Sequence, residues 1–202
     1  MRSSITQEIA ATAARLIVEE GLEYGPAKRR AARELGQATS RSHALPSNEA
    51  LEDQVREYLG LFCADTHPLE LRALREVALA WMERLVAFRP HVTGAVWRGT
   101  ATRLSAVHLQ LFCDDSKAAE IELINQGIHY NVGGMSGPRG QPVDVLSVTS
   151  TSPALNDVVT VHLTILDHDD LRGGLKPDSA GRTQRGDVAA LKRLMANEED
   201  EK

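Results

Sequence analysis

Three histidines and one aspartate set the chemistry this chain could attempt. In Ala106–Leu111, His108 and Gln110 fall at positions i and i+2. On a strand they stand side by side, while Val107, Leu109 and Leu111 point to the opposite face. The run Val158–Leu166 repeats the arrangement: Val159, Val161, Leu163 and Ile165 face one way, and Thr160, His162 and Thr164 the other. Asp144 lies in Pro142–Leu146, an acid inside an otherwise apolar strand, where a charge needs a partner or an opening. If strand order brings His108, His162 and Asp144 to one face, with His129 nearby in sequence, they form a ligand set suited to Zn²⁺. The competing reading is structural, since a lone histidine on a half-exposed strand is usually a satisfied polar residue. A Ser-His-Asp hydrolase finds no support, because the chain has no Gly-x-Ser-x-Gly elbow, and neither Cys63 nor Cys113 has an evident base partner.

The elements that must position these residues centre on Val92–Cys113. Val92, Gly94 and Val96 alternate with Thr93, Ala95 and Trp97, which predicts one strand over Val92–Gly99. Ser105–Phe112 predicts a second, adjacent and antiparallel, with Gly99-Thr100 in the turn between them. Two strands with one apolar face and one face of histidine and hydroxyl imply a sheet covered by helices on one side only.

In Gly99-Thr100 followed by Ser105-Ala106-Val107-His108-Leu109, the chain resembles the polymerase-beta-like nucleotidyltransferases. Their signature is a strand, a Gly-Ser or Gly-Thr pair, a short loop, and Ser-Asp-x-Asp on the next strand. The resemblance covers about 20 residues closely, and the stretch from Val92 to Leu166 by element order. It implies a mixed sheet, a nucleotide ligand with a divalent metal as cofactor, and transfer driven by two Mg²⁺ ions on three carboxylates. Ala106 and His108 stand where two of those carboxylates belong. Asp144 is the candidate for the third, and hence for any catalytic role, with Glu120 and Glu122 in reserve. Imidazole serves Mg²⁺ poorly. The resemblance therefore implies a degenerate member, a pseudoenzyme that retains nucleotide or phosphate binding through Gly99, Thr100, Ser105, His108 and Gln110.

The rest of the chain frames this sheet. Residues 1–90 read as a helical region. Helical-period stripes run through Ile5–Ile17, Ala27–Leu35 behind Pro26, Leu51–Phe62 behind a Ser47 or Asn48 cap, and Leu71–Leu85. Lys28, Arg29, Arg30 and Arg33 read as a solvated face, with a phosphate-bearing partner as the sharper alternative. Residues 91–167 are the sheet domain. Within it Lys117–Gln126 is a helix capped from Asp114-Asp115-Ser116 and stopped by Gly127, Ile128–Val132 is a short strand, and Gly133–Pro142 is a loop. Residues 168–202 comprise a basic, Gly-rich flexible loop, a short helix over Val188–Met195 and an acidic end. Six basic residues from Arg172 to Arg193 stand against Asp178 and Asp187, a net of +4. Arg182 and Arg185 are its candidate phosphate clamp. The fold class expected is α+β.

Composition bounds the partners. A formal net charge of −5 over 202 residues weighs against extended nucleic-acid binding. No stretch has the roughly 20 apolar residues of a membrane span, and Glu8 and Arg15 interrupt the apolar pattern a secretory signal would need. Two distant cysteines in apolar elements suit free thiols and a reducing, cytoplasmic setting. A protein-interaction module remains the third functional reading, with no partner marked.

Overall fold

The computed structural model describes residues 2–37, 45–115, 117–171 and 183–200. Contacts divide the chain into two compact units, Met1–Leu69 and Glu70–Lys202. The first contains α1 (Arg2–Glu20), α2 (Tyr24–Glu34) and α3 (Asn48–Phe62). Ser47 accepts a hydrogen bond from the Ala50 amide at 3.0 Å, which satisfies one orphan donor at the start of α3. Ile9, Ala13 and Leu16 of α1 pack with Ala27 and Ala31 of α2 and with Leu51, Val55 and Leu59 of α3. On the basic side of α2, Arg30 pairs with Glu20 and Glu34. Lys28 donates to Asn48 Oδ1 at 2.7 Å and to the Pro46 carbonyl at 3.1 Å. Both cations are engaged within the unit.

Helix α4 (His67–Arg84) enters the second unit, where Leu71, Leu74, Ala78, Trp81 and Leu85 join the core of the sheet. The sheet core claims this helix, and the compact units accordingly divide near residue 69, upstream of the boundary at 90 that the end of the helical pattern suggests. Six strands follow: β1 (His91–Thr93), β2 (Val107–Phe112), β3 (Asn131–Ser136), β4 (Pro142–Ser152), β5 (Asp157–Leu166) and β6 (Arg185–Gly186). Their order is β3-β4-β5-β2-β1-β6. β2 and β5 run parallel, and every other pairing is antiparallel. The fold is α+β with a mixed sheet.

One face of the sheet is packed. Val107, Leu109 and Leu111 of β2, Val161, Leu163 and Ile165 of β5, and Leu146 and Val148 of β4 form one cluster. It also takes in α4, Ala119 and Leu123 of α6 (Ala118–Asn125), and Leu191 of α7 (Val188–Asp200). Among the described residues, the helices packed in this cluster cover one face of the sheet, as expected. Asp187 accepts from the Ala190 amide at the start of α7, as its cap signal predicts; Asp115 accepts from the Lys117 amide ahead of α6, whose N-cap position, Lys117, has no side-chain cap.

Two elements differ from the sequence reading. β1 and β2 are adjacent and antiparallel, but they pair over only three residues, because Gly94–Arg98 is a short helix, α5. Gly94 has φ +69°, a left-handed value that ends the strand at Thr93, and Gly99 at φ +79° closes the helix. Val96 is buried from this helix. The alternating pattern disguised a helical turn. Likewise β3 begins at Asn131 and continues through Ser136, across the stretch read as a loop. Gly133 and Gly134 pair with Val145 and Asp144 of β4 despite their low strand preference.

Candidate ligand site on the uncovered face of the sheet

The parallel register of β2 and β5 sets the site. His108 lies opposite His162, and Gln110 opposite Thr164. The imidazole centroids are 5.0 Å apart with planes tilted by 33°. The β4 register places Ser147 across from His162, and Ser147 Oγ and His162 Nδ1 share a hydrogen bond at 2.8 Å. Thr160 is exposed, and His108, His162, Thr164 and Ser147 are half-buried. His108 rests on Gly94, where an added Cβ would stand 3.7 Å from His108 Cδ2. Two rings and three hydroxyls thus share one patch able to donate and accept hydrogen bonds, with ring surface for stacking.

The β1 end of the same face is closed. Arg185 of β6 donates to Gln110 Oε1 at 2.9 Å and to the carbonyls of Asp170 and Leu171, which lie in a 3₁₀ turn (His168–Leu171). Its guanidinium lies 4.8 Å above the Phe112 ring. Burial lowers the Arg185 pKa below the usual arginine value. His91 meets Phe112 edge-on, and its Nδ1 donates to the Arg89 carbonyl at 2.9 Å. Gln110 and Arg185, both read as ligand residues, therefore come together but are spent on each other. Arg185 belongs to a buried edge strand and fastens it to β2. Arg182 lies outside the described residues.

Gly99 and Thr100 serve α5. The amides of Gly99 and Thr100 both donate to the Ala95 carbonyl, so neither is turned toward a phosphate. Thr100 is 1% exposed, and its hydroxyl has no hydrogen-bond partner among the described residues. Ser105 Oγ accepts from the Thr102 amide at 3.0 Å and holds the loop into β2. The turn read as a phosphate cradle is a helix terminus.

Asp144 stands across the sheet from the histidines. It pairs with Gly134 of β3 and shares the face of Leu146 and Val148, which point into the helix-covered core. Its carboxylate lies 3.9 Å from Lys117 Nζ, beside α6. The set of His108, His162 and Asp144 is therefore not assembled, and the carboxylate proposed for catalysis is on the wrong face to share ions with β2. Among the described residues, no three His, Cys, Asp or Glu side chains gather into a group able to hold a metal. Glu120 pairs with Lys117 on α6, and Glu122 lies on the same helix, as the helical reading requires.

A cleft of about 280 Å³ opens at the carboxyl ends of β2 and β5 between Cys113, Asp114, Arg139, Asp144 and Asp167. Arg139 binds Asp170 there at 3.0 Å. Burial, followed by Asp115, Asp114 and Asp167, raises the Cys113 thiol pKa, which favours the protonated thiol over the thiolate.

What sequence reasoning missed was the partner strand. The same His-and-hydroxyl alternation in β2 and β5 was its signal, since strands that match in pattern can lie side by side.

No family model and no curated protein matches the chain. Among solved structures, it is similar to the Cid1 poly(U) polymerase bound to MgGTP, at 14% identity and a TM-score of 0.35, over 55% of this chain and 38% of the other. It is also similar to a cytoplasmic RNA terminal U-transferase, at 16% identity and a TM-score of 0.34, over 54% of this chain and 36% of the other. The chain spans little more than a third of the length of these proteins. Likeness at this level establishes neither a family nor an activity. Among the described residues, no helix is long and apolar enough to cross a membrane.

Proposed function

We propose that the chain is a degenerate nucleotidyltransferase-like protein that binds a nucleotide or phosphate ligand on the face carrying His108 and His162, without two-metal catalysis. The observation that carries this reading is the cross-strand neighbour of His108. Carboxylates that share two metal ions must stand on one face of adjoining strands. Of the two motif positions, Ala106 immediately precedes β2 and His108 lies on it, and the residue level with His108 on β5 is His162. Imidazoles at these positions serve a magnesium pair poorly, since Mg²⁺ needs hard oxygen ligands, and this supports the degenerate reading. What remains is a hydrogen-bonding patch: the imidazoles with Thr160, Thr164 and Ser147, suited to phosphate oxygens and to the flat face of a base.

The test is a thermal-shift titration of the untagged chain with ATP, GTP, CTP and UTP, with and without Mg²⁺. A ligand that binds only the folded state raises the melting temperature by mass action. The expected result is stabilisation that needs no Mg²⁺ and is lost in His162→Ala. Absence of any shift sinks ligand binding, and Mg²⁺-dependent release of pyrophosphate sinks the degenerate reading.

A further inference from the structure

The sheet ends in two unlike edges. β6 is two residues long and buried. β3 is six residues long, and all six are exposed, including Val132 at 60% and Met135 at 52%. Its outward amides and carbonyls form a row with no strand beside it among the described residues. Natural edges are normally guarded by lysine, proline or a bulge, and β3 contains none of these. From Leu123 to Pro138 the chain carries no Asp, Glu, Lys or Arg.

The glycines are informative. Neither Gly133 nor Gly134 has a positive φ, and an added Cβ at either would meet only a β4 carbonyl oxygen at 3.7 Å, an ordinary contact. This fold does not require glycine at these positions, although glycine weakens a strand. A glycine in a strand that its own neighbours do not demand marks the close approach of another backbone.

We infer that β3 is a self-association edge, at which a second copy of this chain adds its own β3 antiparallel about a two-fold axis. Three observations favour a second copy. Two chains of net charge −5 repel, and the edge lies within a 16-residue stretch without Asp, Glu, Lys or Arg, where like chains can approach. β6 is too short and too buried to accept β3, so head-to-tail growth is closed off and pairing stops at two. Side-chain alternation restricts a two-fold pairing to registers in which a residue of β3 faces its own copy. Gly133 or Gly134 at that centre lets the backbones meet without side chains between them. One six-residue strand pair buries less than a standard interface, so the dimer forms in a concentration-dependent equilibrium.

Sedimentation velocity of the full chain over a range of concentrations tests this, and a monomer–dimer equilibrium is expected. Val132→Lys and Met135→Lys, both at exposed positions, should each weaken it by about tenfold or more while leaving unchanged the melting temperature measured at concentrations where the chain is monomeric. Single cysteines at 132, 133, 134 and 135, read against the parent chain with Cys63 and Cys113, should cross-link at one central position, with its immediate neighbours much slower. A chain that remains monomeric at every concentration overturns the inference. So does a dimer indifferent to both lysines, or cross-linking with no positional preference.

Discussion

His108 and His162 occupy the same level of two parallel strands, with their ring centroids 5.0 Å apart. This geometry offers a direct test of the proposed degeneracy. Ala106→Asp, His108→Asp and His162→Asp together would place three carboxylates about one corner of the sheet. We expect the triple variant to gain a Mn²⁺- or Mg²⁺-dependent rise in melting temperature that the parent chain lacks, and Mn²⁺ binding by electron paramagnetic resonance to report it directly. A folded triple variant with no metal response would show that β2 and β5 do not form a transferase-type metal corner.

The helices were legible because caps and stripes act locally: Ser47 and Asp187 each accept the expected backbone amide. The inward faces of β2 and β5 were legible because burial enforces a period of two. Strand order was not, because it depends on long-range pairing that no local pattern encodes. Asp144 was therefore placed with the histidines when its strand turns it to the opposite face. Gly94 and Gly99 misled for a different reason. A five-residue helix between two left-handed glycines has too few positions to reveal its period, and Val96 falls on the core by either reading. Arg185, set in a charged Gly-rich stretch, gave no sign that it would be buried.

Thr100 separates the motif from its expected role. Its hydroxyl is buried without a partner, so Thr100→Val removes a desolvated polar group and keeps the shape. Stability should stay level or rise by about 1 kcal/mol in chemical denaturation. Nucleotide-induced thermal shifts should not change. Loss of those shifts in a folded Thr100→Val protein would return the turn to the binding site.

His91 should make the sheet edge sensitive to acid. Burial is the main cause that lowers its pKa, outweighing the hydrogen bond to the Arg89 carbonyl. A histidine with a depressed folded-state pKa binds its proton more readily when unfolded. Stability is therefore intact above the ordinary histidine pKa of about 6.5 and falls as pH drops below it, levelling off beneath the folded-state pKa. Denaturation midpoints across this window should decline in the parent chain, and less steeply in His91→Gln. Equal slopes would place the acid sensitivity elsewhere.

Gly186 locks the short edge strand against α5. A Cβ there would stand 2.3 Å from the Trp97 ring, far inside van der Waals contact. The ring has little freedom to yield, because Trp97 Nε1 donates to the Thr183 carbonyl at 2.8 Å. Gly186→Ala must push the indole aside or pull β6 away from β1, where Gly186 pairs with Val92. Overpacking of this kind costs roughly 1–3 kcal/mol. Displacing β6 would also loosen Arg185 from Gln110 and from the carbonyls of Asp170 and Leu171. We expect a lower denaturation midpoint and a changed Trp emission spectrum, since the indole loses its fixed hydrogen bond. A variant with parent-like stability and emission would mean that Trp97 is not held against Gly186, and that the fastening of β6 rests on Arg185 alone.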